Sequence, residues 1–68
     1  MECKNRVREF REILEVSRAE LAARAGLTTR GLRLIETGEN QPKLATARRI
    51  ARALGTPLGN AFPEAGDE

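Results

Sequence analysis

Apolar residues recur along most of this chain at the spacing typical of α-helices. Val7, Phe10 and Leu14 fall at positions i, i+3 and i+7, which predicts a first helix over about residues 5–14. A strict alternation of apolar and polar residues, which is typical of a half-buried strand, does not occur in the sequence. The pattern therefore indicates an all-α fold.

Two short helices separated by a three-residue turn are predicted in the middle of the chain. The motif SRAE, which begins at Ser17, is a capping box that starts the second helix, and Gly26 supplies the left-handed residue that ends it. Thr28 caps a third helix over about residues 29–37. The predicted inner faces consist of Leu21, Ala22 and Ala25 in the second helix and Leu32 and Ile35 in the third.

A fourth helix and one short helical turn complete the predicted bundle. Pro42 prevents the third helix from continuing, and Gly55 ends the fourth. The apolar face of the fourth helix consists of Leu44, Ala47, Ile50, Ala51 and Leu54. The segment TPLGNAF predicts a fifth turn that is anchored by Leu58 and Phe62.

Size and charge narrow the class of function. A chain of 68 residues forms one domain with a thin core. We predict that this domain spans residues 1–63, and that residues 64–68 form a frayed acidic tail. Residues 1–63 contain all twelve basic and seven of the ten acidic side chains, a net charge of +5. This charge favours a polyanionic partner such as nucleic acid, although a high arginine content also follows from genome base composition.

Several classes of function are excluded by what the sequence lacks. It contains no His and one Cys, so we expect no metal site and no cofactor. Cys3 is interpreted as a free thiol in a reducing cytoplasm, with a disulfide across a dimer as the alternative. No apolar run predicts a membrane span or a signal peptide, and we expect a cytoplasmic protein. An enzyme is not expected, because no phosphate-binding glycine loop or activated nucleophile is present.

The second and third helices are spaced as a helix-turn-helix pair. So short a turn forces the two helices to cross steeply, and the small residues Ala22 and Ala25 allow their axes to approach. The third helix then protrudes from the body of the domain. Its dimensions suit the major groove of B-DNA, where arginine reads guanine and leucine contacts the thymine methyl group. The outward face of the third helix consists of Arg30, Arg33, Leu34 and Thr37, and Thr29 lies at the edge of its first turn. The alternative is an ordinary solvated face.

Taken together, several motifs resemble the Cro/repressor-type helix-turn-helix family, which includes XRE-like and lambda-repressor-like regulators. The motifs are FRE in the first helix, S-x-x-E-L-A at Ser17–Ala22, AGL at the turn, IETG at the end of the third helix, QP in the loop and ARRIARALG in the fourth helix. The resemblance covers about residues 5–62 and implies a lambda-repressor-like DNA-binding domain with its helix-turn-helix at about 17–37. Such domains bind operator DNA, commonly as homodimers, with the third helix in the major groove.

The resemblance also implies roles for particular side chains. Those that match base-contacting positions are Thr29, Arg30, Arg33 and Leu34. Those that match positions near phosphates are Arg18, Thr28, Thr37, Asn40 and Lys43. A partly buried ion pair between Arg11 and Glu36 is implied as well. The sequence departs from the family at Glu15, where glycine is common, and at Lys43, where a small capping residue is usual.

We interpret the chain as a sequence-specific transcriptional regulator, a repressor-like homodimer that binds double-stranded DNA. Leu58 and Phe62 predict a dimer contact, although closing the protomer's own core is the alternative. A protein-interaction module, such as an antitoxin or adaptor, is the alternative function. Two charged faces are interpreted as solvated. The acidic face of the first helix consists of Glu9, Glu12 and Glu15, and a contact with RNA polymerase is the alternative. The basic face of the fourth helix consists of Arg48, Arg49 and Arg52, and a dimer or phosphate contact is the alternative.

Overall fold

The computed structural model describes residues 5–63, which form five helices within about 28 × 24 × 21 Å. The helices are α1 (Val7–Ile13), α2 (Arg18–Ala25), α3 (Thr29–Thr37), α4 (Leu44–Leu54) and α5 (Leu58–Ala61). No strand occurs in this range, so the all-α prediction is confirmed. The bounds of α3 and α4 match the prediction, whereas α1 is shorter at both ends.

All five helices contribute apolar side chains to one core. The largest fully buried apolar residues are Val7, Leu21, Leu32 and Ile50, which come from four different helices. Burying each of them stabilises the fold by about 1.5–3 kcal/mol relative to exposure. Alanines on the facing sides of α2 and α4 are also buried, and their small size allows these two helices to pack closely.

Asn5 precedes α1 and links it to α3. Its Oδ1 accepts a hydrogen bond from the backbone N–H of Val7 at 3.1 Å, and its Nδ2 donates to the carbonyl of Ile35 at 2.9 Å. The side chain therefore satisfies one of the unpaired N–H groups at the start of the helix. Asn5 lies outside the helix and binds the N–H group of its first residue. The helix α1 therefore begins at Val7 rather than at about residue 5.

The predicted caps of α2 and α3 are confirmed. The Ser17 hydroxyl accepts from the backbone N–H of Glu20 at 3.0 Å, and the Thr28 hydroxyl accepts from that of Gly31 at 2.9 Å. Each cap satisfies an N–H that has no partner within its own helix. The carboxylate of Glu20, which a complete capping box would direct back to Ser17, accepts from Arg24 at 2.9 Å.

Arg49 lies on α4 and closes the C-terminal end of α2. Its guanidinium donates to the carbonyl of Ala25 at 3.0 and 3.1 Å and to that of Gly26 at 3.2 Å. A cation is favourable there because the carbonyl groups at a helix C-terminus carry partial negative charge. Arg49 is exposed, as the interpretation of a solvated basic face implies, but its guanidinium is also bound to these carbonyls and so has a structural role. Gly26, which ends α2, has a left-handed φ of +72°. A Cβ at this position would lie 2.8 Å from Arg49 Nη2, so a larger residue would displace the bound guanidinium.

Glu15 follows α1 in the left-handed conformation, with φ 59°. A residue with a Cβ pays about 1–2 kcal/mol for this conformation, which glycine adopts freely. We therefore expect Glu15→Gly to raise the free energy of unfolding by about 1 kcal/mol in urea denaturation. Glu15→Ala is the matched control, because it removes the carboxylate but keeps the Cβ. Equal stability of the Gly and Ala variants would contradict the explanation.

Candidate nucleic-acid interface

The third helix separates its residues into a buried and an exposed face. Leu32, Ile35 and Glu36 are buried, whereas Thr29, Arg30 and Arg33 are exposed and Leu34 is half-buried. Neither Arg30 nor Arg33 has an ion-pair or hydrogen-bond partner among residues 5–63. Their guanidinium donors are consequently available to a molecule that approaches this face.

One groove beside the start of α3 contains three of the predicted phosphate contacts, Thr28, Asn40 and Lys43. Asn40 and Lys43 are exposed on the loop that precedes α4. The backbone N–H of Asn40 donates to the carbonyl of Leu34 at 3.1 Å, which holds the loop against α3. The groove therefore combines a cation with polar side chains next to the first turn of the exposed helix.

Gly31 lies in the same groove, and the structure provides a reason for a glycine in the first turn of α3. A Cβ at this position would lie 3.0 Å from the hydroxyl oxygen of Thr28. That oxygen already accepts the hydrogen bond that caps the helix. An alanine would thus press on the cap, which offsets the roughly 1 kcal/mol by which it favours a helix over glycine.

Thr37, the fourth predicted phosphate contact, lies at the other end of α3. Its hydroxyl is 3.1 Å from the carbonyl oxygen of Leu34 and 3.2 Å from a carboxylate oxygen of Glu39. The hydroxyl hydrogen is thus engaged within the chain. The neighbouring negative charge also makes this position less suitable for a phosphate than the groove that contains Lys43.

The buried carboxylate of Glu36 binds arginines from two other helices. Arg11 Nε lies 2.7 Å from Glu36 Oε2, and Arg18 Nε lies 3.2 Å from Glu36 Oε1. Only 2% of the Glu36 side chain is exposed, against 12% for Arg11 and 34% for Arg18. Arg11 also donates to the carbonyl of Val16 at 3.1 Å. The Arg11–Glu36 pair matches the sequence interpretation, whereas the sequence pattern does not predict the bond to Arg18.

This cluster, which consists of Arg11, Arg18 and Glu36, joins α1, α2 and α3 and has a net charge of +1. The cluster fixes the orientation of α3 relative to the rest of the fold. Arg18 uses its Nε on Glu36 and remains one-third exposed at the first turn of α2. It can therefore bind Glu36 and also offer its terminal nitrogen atoms to an anion.

The remaining predicted residues fall into three groups. Phe62 is 5% exposed and completes the protomer's own core, while Leu58 is half-buried and packs against that core. On α1, Glu9 and Glu12 bind Arg6 and Arg8 at 2.8 and 3.0 Å, which favours the interpretation of the acidic stripe as a solvated surface. Cys3 and the predicted acidic tail over residues 64–68 lie outside the described residues.

Two further observations apply to residues 5–63. None of the helices there has both the length and the apolar content that crossing a membrane requires. No group of three or more His, Cys, Asp or Glu side chains in that range is placed to bind a metal ion.

Comparison with known proteins relates this geometry to a family. Residues 7–59 match the family model described as helix-turn-helix. An uncharacterized HTH-type transcriptional regulator from Methanothermobacter thermautotrophicus is 45% identical over 49 residues, which cover 72% of this chain and 71% of that protein. The HTH-type regulators Mb0023 of Mycobacterium bovis and Rv0023 of Mycobacterium tuberculosis are each 38% identical over 53 residues, or 78% of this chain. The match spans 21% of the length of these mycobacterial relatives.

Proposed function

Since this chain belongs to the helix-turn-helix family of DNA-binding transcriptional regulators, we propose that it reads a specific operator by placing α3 in the major groove of double-stranded DNA. The observation that carries the proposal is the exposed face of α3, where Arg30 and Arg33 have no partner among the described residues. A guanidinium without an internal partner is suited to the two acceptors of guanine. Thr29 and Leu34 extend the same face, and Leu34 offers an apolar contact for a thymine methyl group.

Phosphate contacts on both sides of α3 would position the domain on the duplex. Arg18 at the start of α2 and Lys43 before α4 supply the positive charges, and Thr28 and Asn40 supply polar groups. Thr37 is the weakest member of the predicted set, because its hydroxyl is engaged by Leu34 and Glu39. Contacts of this kind set the register and orientation but do not distinguish sequences.

The regulator is proposed to act as a repressor-like homodimer. Two apolar side chains that are not fully buried support this proposal: Leu58 is half-buried, and Leu44 at the start of α4 is 41% exposed. Phe62 is 5% exposed and belongs to the protomer's own core, so the proposed contact rests on Leu58 and Leu44. Twofold protein symmetry then requires an operator of two inverted half-sites about 34 Å apart, one turn of the duplex.

Selection of bound DNA from a random pool, followed by footprinting, tests the proposal. We expect enrichment of an inverted repeat whose half-sites are protected one helical turn apart. Enrichment of a single asymmetric half-site would reject the homodimer while keeping the DNA-reading role. Absence of any enrichment, with the domain shown to be folded by circular dichroism, would reject sequence-specific reading altogether.

An exposed apolar pair favours one alternative function. Ile13 and Leu14, at the C-terminal end of α1, are 73% and 48% exposed. Adjacent exposed apolar side chains are a feature of surfaces that contact other proteins. A protein-interaction module, such as an antitoxin or adaptor, would use this surface and would show no enrichment in the DNA selection.

Lys43 offers a test that separates stability from binding. It occupies the N-cap position of α4 without a side-chain hydrogen bond. We expect Lys43→Ser to raise the free energy of unfolding by about 0.5–1 kcal/mol, because serine caps a helix well. The same change should weaken binding to all DNA sequences alike and reduce the slope of log affinity against log salt by about 1.

Lys43→Ala is the matched control for this prediction. It should lose the same DNA affinity, because the charge is removed, but it should gain no stability. Urea unfolding and DNA titrations over a range of salt concentrations measure the two effects. Unchanged salt slopes in both variants would remove Lys43 from the set of phosphate contacts.

A further inference from the structure

The two ends of α3 are held by different parts of the fold. Its C-terminal half is tied to α1 and α2 through the buried carboxylate of Glu36, and the carbonyl of Ile35 accepts a hydrogen bond from Asn5. Its N-terminal end, which presents Arg30, follows directly on the turn that begins at Gly26. The way this turn is held therefore decides where the first exposed residues of α3 lie.

The guanidinium of Arg49 holds this turn from α4. Its Nε and Nη2 lie 3.1 and 3.0 Å from the carbonyl oxygen of Ala25, and its Nη2 also lies 3.2 Å from that of Gly26. These oxygens belong to the last residue of α2 and to the residue that caps it. Helix α3 packs mainly against α2, and α2 packs mainly against α4. Arg49 thus binds the chain at the point where α2 passes into α3.

The neighbours of Arg49 on α4 lack this contact. Arg48 and Arg52 are exposed as well, but neither has a hydrogen-bond or ion-pair partner among residues 5–63. Arg49 directs its Nε and Nη2 donors to carbonyls that carry the partial negative charge of a helix C-terminus. A guanidinium that is bound in this way has fewer free donors for a DNA phosphate.

We propose that Arg49 is a positioning residue for DNA recognition, which fixes the turn and so sets the direction from which α3 presents Arg30 and Arg33 to base edges. The inference rests on the proposed reading of DNA by α3, and it adds a residue that contacts neither bases nor phosphates. Base-reading side chains have to be held to within about 0.5 Å, because an arginine distinguishes guanine only when both of its donors reach their acceptors. A turn released from Arg49 lets the start of α3 move, so that wrong bases are tolerated.

Arg49→Met tests the proposal, since methionine keeps a long unbranched side chain and a high helix propensity but has no donor. The readout is base preference, the ratio of the affinities for a selected operator and for its single-base variants. An unfolded fraction lowers both affinities equally and cancels from this ratio, so that a loss of stability alone leaves it unchanged. We expect Arg49→Met to reduce the ratio about three- to tenfold, and Arg49→Lys, which keeps the charge and a donor, to restore part of it.

Arg48→Met is the matched control, because it removes an exposed arginine of α4 that has no partner among the described residues. It should leave base preference within about twofold of the wild-type value even if it weakens binding, since phosphate contacts carry no sequence information. The slope of log affinity against log salt should be nearly the same for Arg49→Met and the wild-type chain, because Arg49 is not assigned to a phosphate.

Three results would overturn the inference while leaving the proposed function in place. Unchanged base preference in Arg49→Met would show that α3 is positioned without Arg49. A salt slope lower by about 1 with intact preference would make Arg49 a phosphate contact. An equal loss of preference in Arg48→Met would trace the effect to the charge of α4 rather than to the turn. If the wild-type chain itself prefers no sequence, the proposed function fails, and the role of Arg49 fails with it.

Discussion

Glu36→Gln is expected to lower the free energy of unfolding by about 3–5 kcal/mol, the range measured when one member of a buried ion pair is removed. Glutamine keeps the shape of the side chain but leaves Arg11, which is 12% exposed, without a negative partner. A domain of this size has only about 3–5 kcal/mol of stability to lose. The variant should therefore be largely unfolded at 25 °C, as read by circular dichroism at 222 nm in a urea titration.

Two controls show whether the buried charge is responsible. Glu39→Gln makes the same chemical change on an exposed residue and should cost less than about 0.5 kcal/mol. The double variant Arg11→Met/Glu36→Leu removes both buried charges and should be more stable than Glu36→Gln alone, because apolar replacement of a buried pair is often tolerated. A loss below 1 kcal/mol for Glu36→Gln would contradict the prediction, because it would show that the negative charge of Glu36 is not needed to stabilise the buried guanidinium of Arg11.

Arg30→Ala and Arg33→Ala are expected to lower affinity for a selected operator by about 1–3 kcal/mol each and to relax base preference at one position. Both side chains project from the exposed face of α3, and truncating them breaks no hydrogen bond or ion pair among the described residues. Unfolding free energies should accordingly change by less than about 0.5 kcal/mol. Titrations against the operator and its single-base variants measure the loss of preference directly.

Lysine substitutions and a surface control sharpen this test. Arg30→Lys and Arg33→Lys keep the charge but lose the planar guanidinium, so they should restore only part of the affinity and little of the base preference. Arg24→Ala removes an exposed arginine of α2 that binds Glu20, and it should leave base preference intact. If Arg30→Ala and Arg33→Ala both retain the wild-type preference, α3 does not read bases through its arginines, and the interaction-module alternative gains support.

The two sets of substitutions separate the support of α3 from its exposed face. Glu36 and Arg33 lie three residues apart on the same helix, yet one is 2% exposed and the other faces solvent. The Arg11–Arg18–Glu36 cluster on the buried side fixes the orientation of α3, and the exposed side is proposed to read DNA. Loss of Glu36 should thus abolish binding by unfolding the domain, whereas loss of Arg33 should change specificity in a folded one.

Local chemistry determined the central part of this fold. Ser17 and Thr28 cap α2 and α3 as predicted, and Leu32 and Ile35 are buried because their spacing places them on one side of a helix. Capping hydrogen bonds and helical periodicity involve residues three or four positions apart, so a short stretch of sequence contains all the required information. The exposure of Arg30 and Arg33 follows from the same periodicity.

Only the tertiary structure decided where the long side chains and the last apolar residues go. Arg18 binds Glu36 across 18 positions of sequence, Arg49 reaches Ala25 across 24, and Phe62 joins the core instead of standing at the surface. A flexible arginine binds whichever acceptor the packed helices bring within reach, and helical spacing contains no information about that acceptor. The sequence alone therefore determined the elements and the proposed reading face, while packing of the helices determined which arginines support the fold and which remain exposed.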